Sequence, residues 1–226
     1  MNGEWPITLP ALGTSAEDCS WNDIAKICAA GKAKEYFRLG DTKSVTIVEN
    51  GVEKTFLMEI VSFDADTKAD GTKAAISWIS VEVVTMREMN ETKTNDGAWE
   101  GSDLRSWLQS DFYSLLPADL QDAIVVVNKT YMKANTENGT CQDSLWIPSS
   151  REVTGDTSKE KSGATYSSYI TSDMLKKANL DGAKTNWWLR TTNARIEQFS
   201  IVQVSFGFIV NSDADFEQGV VLGFCT

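Results

Sequence analysis

The sequence predicts an α+β fold in which antiparallel sheets carry short helices and long loops. Three observations predict it. Apolar and polar residues alternate in short runs, as at Val45–Val48 and Val202–Ser205, so each run can turn one face to a core. Asn50-Gly51 separates two such runs, and this dipeptide suits a tight hairpin because both central residues need positive φ. Helix signals are confined to short capped stretches, with long polar segments between them.

Residues 1–19 form a lead-in with Pro6, Pro10 and no period. Ser20 suits an N-cap and Asp23 the positive end of a helix dipole. Ile24 and Ile27 share a face, and Gly31 can stop the helix, so a helix is expected over about Trp21–Ala30. Val45–Val48 and Thr55–Phe63 are the hairpin arms around Asn50-Gly51. Asp64–Lys73 is turn-rich and leads to a strand over Ala74–Val84. Its acids do not follow the EF-hand spacing and no closing Glu follows, so a hairpin connection is expected there rather than a calcium loop. Residues 85–103 read as a long loop. Ser102 caps a helix containing Leu104, Trp107 and Leu108, and Pro117 suits the first turn of another. Ile124–Val127 reads as a buried strand, 133–142 as a loop, and Leu145–Pro148 as a short strand ended by its proline. Ser149 can cap a brief turn before Val153. Tyr166 and Tyr169 share one side of a short helix, and Asp181-Gly182 marks a turn.

Composition narrows the function. At 226 residues the chain is one domain with room for a large core, and eight tryptophans argue against disorder. A net charge of −11 repels phosphates, so neither nucleic acid nor an anionic membrane surface is an expected partner. There is no histidine, which removes the commonest general base and imidazole metal ligands. The four cysteines show no CxxC spacing, so zinc and redox motifs fail and buried free thiols are expected. The N-terminus lacks a basic segment followed by an apolar run, so no signal peptide is expected, and apolar stretches are too short to span a bilayer. No cofactor or metal is expected. The acids Glu100 and Asp103, with Arg105, lie near Trp99 and Trp107, an arrangement that occurs in sugar-cleaving sites. Helix capping and core packing explain the same residues more simply.

The last forty residues read differently. Trp187-Trp188-Leu189-Arg190 opens them and Gly219-Val220-Val221-Leu222-Gly223 closes them. Between lie Phe206, Gly207 and Phe208, then the polar run Asn211–Asp215, with no repeating pattern. A framed, irregular, side-chain-rich segment suits a binding surface, and an untidy terminal hairpin suits it equally.

The series Trp187-Trp188-Leu189-Arg190, Phe199, Val202, Gly207, Ala214 and Gly219-Val220 resembles the variable region of C-type-lectin-fold proteins diversified by diversity-generating retroelements. It is also similar to the end of a family of Gram-positive and phage domains with a WWLR…GV pattern. Landmarks upstream extend the resemblance over about residues 20–226: Trp21-Asn22-Asp23-Ile24, Met89-Asn90, Trp99 to Arg105, Leu115-Leu116-Pro117, and Leu145 to Ser149. Val221-Leu222 stands where the family usually has Arg-Pro, a departure from the formylglycine-generating branch.

The resemblance implies a C-type-lectin-like fold from residue 20 on, after the 1–19 lead-in, with a variable ligand-binding region at about 187–226. It implies a non-enzymatic protein that binds a protein or carbohydrate receptor on a cell surface, at a phage tail or a bacterial surface. The buried frame would be Trp187 to Arg190, Val202, Val204, Gly207, Ala214, Gly219 and Val220. The ligand-contacting positions would be Thr192, Arg195, Glu197, Phe199, Ile201, Gln203, Ser205, Phe206, Phe208, Asn211, Asp213, Asp215 and Phe216. The alternative is an enzyme on the same fold, formylglycine-generating-like or carbohydrate-active. Against it, Cys141 and Cys225 lack a paired arrangement, and no Glu-Pro-Asn or Gln-Pro-Asp calcium motif is present.

Overall fold

The computed structural model describes residues 8–133, 137–166 and 181–226. Three sheets make an α+β architecture. The first contains β1 (Thr42–Glu49), β2 (Val52–Phe63), β4 (Ile76–Ser80) and β12 (Gly223–Cys225) in the order β1-β2-β4-β12. The second contains β5 (Thr85–Arg87), β8 (Trp187–Thr192), β9 (Gln198–Gln203), β10 (Phe208–Asp213) and β11 (Gln218–Val220), ordered β10-β9-β8-β11-β5. The third joins β3 (Thr67–Lys68), β6 (Val127–Met132) and β7 (Asn138–Asp143). Pairing is antiparallel except between β11 and β8, which meet in parallel at Gly219 and Trp187.

Local chemistry accounts for the helices. In α1 (Trp21–Ala29) the Ser20 hydroxyl accepts from Asp23 N at 3.1 Å, Trp21, Ile24 and Ile27 are buried, and Gly31 follows with φ 70°. After α2 (Ala33–Tyr36), α3 (Asp103–Trp107) is capped by Ser102. It continues through a π-helical turn, Leu108–Phe112, into α4 (Tyr113–Leu115). Pro117 precedes α5 (Ala118–Ala123) rather than opening it. Ser149 and Glu152 form a reciprocal capping box on α6 (Ser150–Thr154), which Gly155 ends in the left-handed region. The β1–β2 turn has Asn50 at φ 52° and Gly51 at φ 77°, as its sequence requires.

Several expected boundaries move. The strand expected over Ala74–Val84 shortens to β4, because the Ser80 hydroxyl bonds Glu82 O at 2.7 Å and turns the chain. Ile124 and Val125 are not in a strand. Val125 N donates to Cys225 O, and pairing starts only at Val127. The loops expected at 64–73, 85–103 and 133–142 contain the short strands β3, β5 and β7. In β7 the polar sequence hides a strand whose Gly139 lies opposite Tyr131, with the tyrosine ring filling the space of the missing side chain. Leu145–Pro148 gives only the bridge between Trp146 and Gly223. Tyr166 is fully buried, and Tyr169 lies outside the described residues.

The core is aromatic. Trp21 sits edge-on to Trp78 and Phe224 at 5.3 and 5.5 Å, and Trp99, Trp146, Trp187 and Trp188 are fully buried. All four cysteines are free thiols.

Among these side chains lies a buried ionic network. Arg190 grips Glu152 with Nη1 at 2.5 Å and Nη2 at 2.7 Å, and donates further to Thr130 O and Ile147 O. Lys129 Nζ lies 2.6 Å from Glu152 Oε1 and 2.7 Å from Asp66 Oδ1, with Trp146 beneath it at 3.5 Å. Ser77 and Tyr166 donate to Asp66 Oδ2. Two cations thus balance two carboxylates. Register explains how Arg190 reaches inside. Trp188 pairs with Ile201 but Thr192 with Phe199, so β8 carries extra residues and bulges, burying Leu189, Arg190 and Thr191 together.

Burial pushes the carboxyls of Asp66 and Glu152 up, but their cationic partners prevail and hold both below the usual range. For Glu152 the main opposing charge is Arg190. For Asp66 it is Lys129, helped by hydrogen bonds from Lys129, Ser77 and Tyr166. Glu160 goes the other way: burial raises it, and the Thr191 hydroxyl and Arg190 do not overcome that.

Arg190→Met leaves Glu152 short of charge and is expected to cost about 3–5 kcal/mol in urea unfolding. A depressed carboxylate stabilises the fold above its unfolded pKa and withdraws that support as pH falls through the folded one. A raised one stabilises below its unfolded pKa and loses the effect as pH rises through the folded one. Stability of the unmodified protein should therefore rise as pH drops from neutral, through Glu160, and fall in stronger acid, through Asp66 and Glu152. A methyl group on Gly223 would collide with the Trp146 ring that floors the Lys129 ammonium. Gly223→Ala is expected to destabilise by about 1–3 kcal/mol in the same assay.

Candidate functional site

The expected variable region is built from β8, β9, β10 and β11. Every expected frame position from Trp187 to Val220 is buried. Trp188 Nε1 donates to Arg87 O at 2.8 Å and Arg190 holds the ionic network. Gly219 lies so close to Val83 that a Cβ would come within 2.7 Å of it. Strands held this firmly give their connections fixed end points.

The β9–β10 turn shows how side chains are lifted from this base. Val204 N donates to Asn186 Oδ1 at 3.0 Å, and Gly207 N returns to Gln203 O at 2.9 Å with φ 71°. With both flanks pinned, Ser205 and Phe206 project outward. Phe206 and Phe208 are 60% and 64% exposed and stack at 6.1 Å, 16° from parallel. Phe216, on the turn after β10, is 56% exposed.

Ala214 anchors that second turn. Its N–H donates to Glu197 O, and its carbonyl accepts from Met89 N and Asn90 N. Lys93 reaches across to Asp213 at 2.8 Å and to Glu197 at 3.7 Å. The hydrogen bonds from Lys93 and Gln198 hold the Asp213 carboxyl below its usual range. Asn95 Nδ2 donates to Asn193 O, Arg195 O and Gln198 O, fixing the β8–β9 connection.

Ten of the thirteen expected contact positions reach the surface. Arg195, Glu197, Ser205, Phe206, Phe208, Asn211, Asp215 and Phe216 are exposed, and Gln203 and Asp213 are half-buried. Three do not, and these are corrections. The Thr192 hydroxyl is spent on Met132 O at 2.6 Å, under the sheet. Phe199 meets Trp188 edge-on at 6.4 Å. Ile201 lies opposite Trp188 and, on its other side, Val210, with 4% of its surface left. β8 is buried throughout and β9 is buried on both faces from Phe199 to Val202, so alternation along them does not separate inward from outward positions.

The acids near the tryptophans are occupied locally. Asp103 accepts from Glu91 N, Glu100 accepts from the Tyr131 hydroxyl, and Arg105 pairs with Asp143 at 2.6 Å. Trp99 Nε1 donates to the same Asp143. Burial and the Asp143 charge push the Cys141 thiol up to about 12, and burial and Asp66 push Cys225 up as well. Neither is poised as a thiolate. Among the described residues, no group of three or more acids or cysteines has metal-site geometry, and no helix is long and apolar enough to cross a membrane.

Sequence reasoning missed Ile196, which is 67% exposed on the β8–β9 connection, and the clamps Lys93 and Asn95. It also missed Lys129, Asp66 and Glu152 as a set. Lys129 is a cation directly following Val125-Val126-Val127-Asn128, and that apolar setting was its only sign.

A family model described as a domain of unknown function, DUF6273, matches residues 53–220, from β2 to the end of β11. No curated protein and no solved structure matches the chain.

If the hairpin phenylalanines are surface groups, the fold does not need them. Phe206→Ser combined with Phe208→Ser is expected to shift urea unfolding by no more than about 1 kcal/mol. A core role would be revealed by a loss of several times that.

Proposed function

The chain belongs to the DUF6273 family, and for this member we propose a non-enzymatic role: binding a ligand or receptor through exposed side chains of the C-terminal hairpin and its neighbouring turns. One observation carries the reading. Of nine phenylalanines, five are buried and Phe63 half-buried, while the three exposed ones, Phe206, Phe208 and Phe216, all stand within eleven residues of one another in sequence. Water-exposed phenylalanine forgoes about 1.5–3 kcal/mol of burial per ring. A binding partner recovers it, and rigid aromatic anchors ringed by polar groups are what interfaces use. Arg195, Glu197, Asn211 and Asp215 supply the polar ring.

The finer readings proposed with it are a C-type-lectin-like fold and diversification of this region by a retroelement. Motif resemblance supports both, and the division between a buried frame and exposed intervening positions agrees with them. The proposed partner is a protein or carbohydrate receptor on a cell surface, met at a phage tail or a bacterial surface.

Sequencing this gene across a natural population tests the reading. Substitutions are expected to concentrate at codons for Arg195, Glu197, Ser205, Phe206, Phe208, Asn211, Asp215 and Phe216, at adenines of a nearby template copy, and to spare Trp187 to Arg190. An even scatter along the gene would overturn diversification and leave a binder of fixed specificity.

A further inference from the structure

The second sheet ends on β10, and the outer edge of that strand is open. Ala214 N–H donates to Glu197 O, which carries the β9–β10 register one pair past Asp213 and Gln198. Opposite residues of an antiparallel ladder alternate between pairs that exchange both bonds and pairs that exchange none. Phe208, Val210 and Ser212 therefore turn their backbone groups to β9, and Ile209, Asn211 and Asp213 turn theirs outward. Gln198 agrees with this phase, since its carbonyl accepts from Asn193 N on the β8 side. Asp213 O takes the Phe216 N–H. Among the described residues no hydrogen bond reaches the N–H or C=O of Ile209 and Asn211, or the N–H of Asp213.

A sheet edge is a template for another strand, and proteins blunt it with charge, proline or a covering contact. The end strands β1, β12 and β7 carry such contacts. Ser44 N–H of β1 is taken by Glu17 Oε2 at 2.6 Å. Val125 N–H covers Cys225 O of β12, and Arg105 Nη2 covers Gln142 O of β7 at 3.0 Å. β10 contains no lysine, arginine or proline. Asn211 is exposed, Ile209 and Val210 are half-buried, and the exposed Phe206–Phe208 stack stands at the start of the strand.

We infer that β10 docks an extended segment of another protein, which joins the sheet as a further strand; the inference rests on the binding role proposed above and names the kind of partner. Donors and acceptors repeated at every second residue are matched by a second backbone in the same conformation, and by few other ligands. Side chains then set specificity. A strand laid antiparallel, about 4.8 Å away, places alternate residues beside Phe208 and Val210, so apolar side chains suit those positions. Its N-terminal end comes toward the exposed Asp215, where a basic residue suits. A second copy of this chain fits less well, because each copy carries a net charge of −11.

Amide hydrogen exchange on the full chain tests the edge first: Val210 and Ser212 should be protected, and Ile209 and Asn211 should not. The probe is then the acetylated, amidated hexapeptide Lys-Val-Thr-Val-Thr-Val. Its control is a form N-methylated at each valine and threonine, which keeps the side chains and cannot join a ladder. The plain peptide is expected to slow exchange at Ile209 and Asn211 about tenfold at saturation, and the methylated one to bind about tenfold more weakly. Asn211→Pro removes an outward N–H that the fold does not use. It should leave Val210 and Ser212 protected and weaken the plain peptide about tenfold. Protection of Ile209 and Asn211 in the free chain, equal binding of the two peptides, or no binding of either would overturn the inference. Protection that grows with protein concentration alone would overturn it too, by making the occupant a second copy. Equal binding of both peptides that is lost in Phe206→Ser with Phe208→Ser would sink strand addition and leave the hairpin side chains as the binding surface, the reading that population sequencing tests separately.

Discussion

The constraint on which the rest depends is the removal of Arg190, Lys129, Glu152 and Asp66 from water. Each charge alone would cost several kcal/mol to bury, and only mutual pairing offsets it. The geometry meets that demand at every atom that matters: a two-pronged Arg190–Glu152 contact, an ammonium shared by two carboxylates, and an indole face beneath it. Elements far apart in sequence are thereby tied to one point. Asp66 precedes β3, Lys129 lies in β6, Glu152 in α6 and Arg190 in β8. Gly223 of β12 lets Trp146 take its place against them. A purely apolar cluster of the same volume would tolerate sliding. Directional ionic bonds do not, and they hold the β8 bulge at one register.

That register determines what the surface can present. Once Arg190 is committed inward, β8 is buried throughout, β9 inherits its alignment from β8, and β10 from β9. The turns between them end on fixed anchors, Asn186 for the β9–β10 turn and Ala214 for the next. Side chains between anchors face water and owe little to the core. A framework of this kind lets exposed residues change without a change of fold.

Much of this was legible in the sequence, and for identifiable reasons. Asn50-Gly51, Ser20 and Ser102 act through the adjacent backbone, so their effects lie within a few residues of their cause. The frame positions came from motif resemblance, and for Trp187, Trp188, Leu189, Val202, Val204 and Val220 the apolar side chain itself has few places to go but inward. The faces of β8 and β9 were not legible. Period-two reasoning assumes that one face of a strand meets water, but β9 is buried on both faces from Phe199 to Val202, and β8, bulged between Trp188 and Thr192, is buried throughout, so Thr192, Phe199 and Ile201 lie inside. β7 was hidden because Asn138, Gly139 and Thr140 carry no strand signature, and its pairing comes from Tyr131 across the ladder. The network was hidden because charge compensation joins residues that local sequence does not relate.

The sequence distances within that network bear on how the chain reaches its native state. Asp66 and Lys129 are 63 residues apart, Glu152 and Arg190 are 38, and Asp66 and Tyr166 are 100. An intermediate that had assembled three of the four charged segments would hold an uncompensated charge in an apolar interior. Such species stand high in energy, so assembly of the centre is cooperative, and its loops must close before the ionic contacts compensate for their lost entropy. The chain should therefore fold slowly for its size and, once folded, open rarely. Where an opened chain is lost faster than it can refold, slow opening is the form of stability that counts.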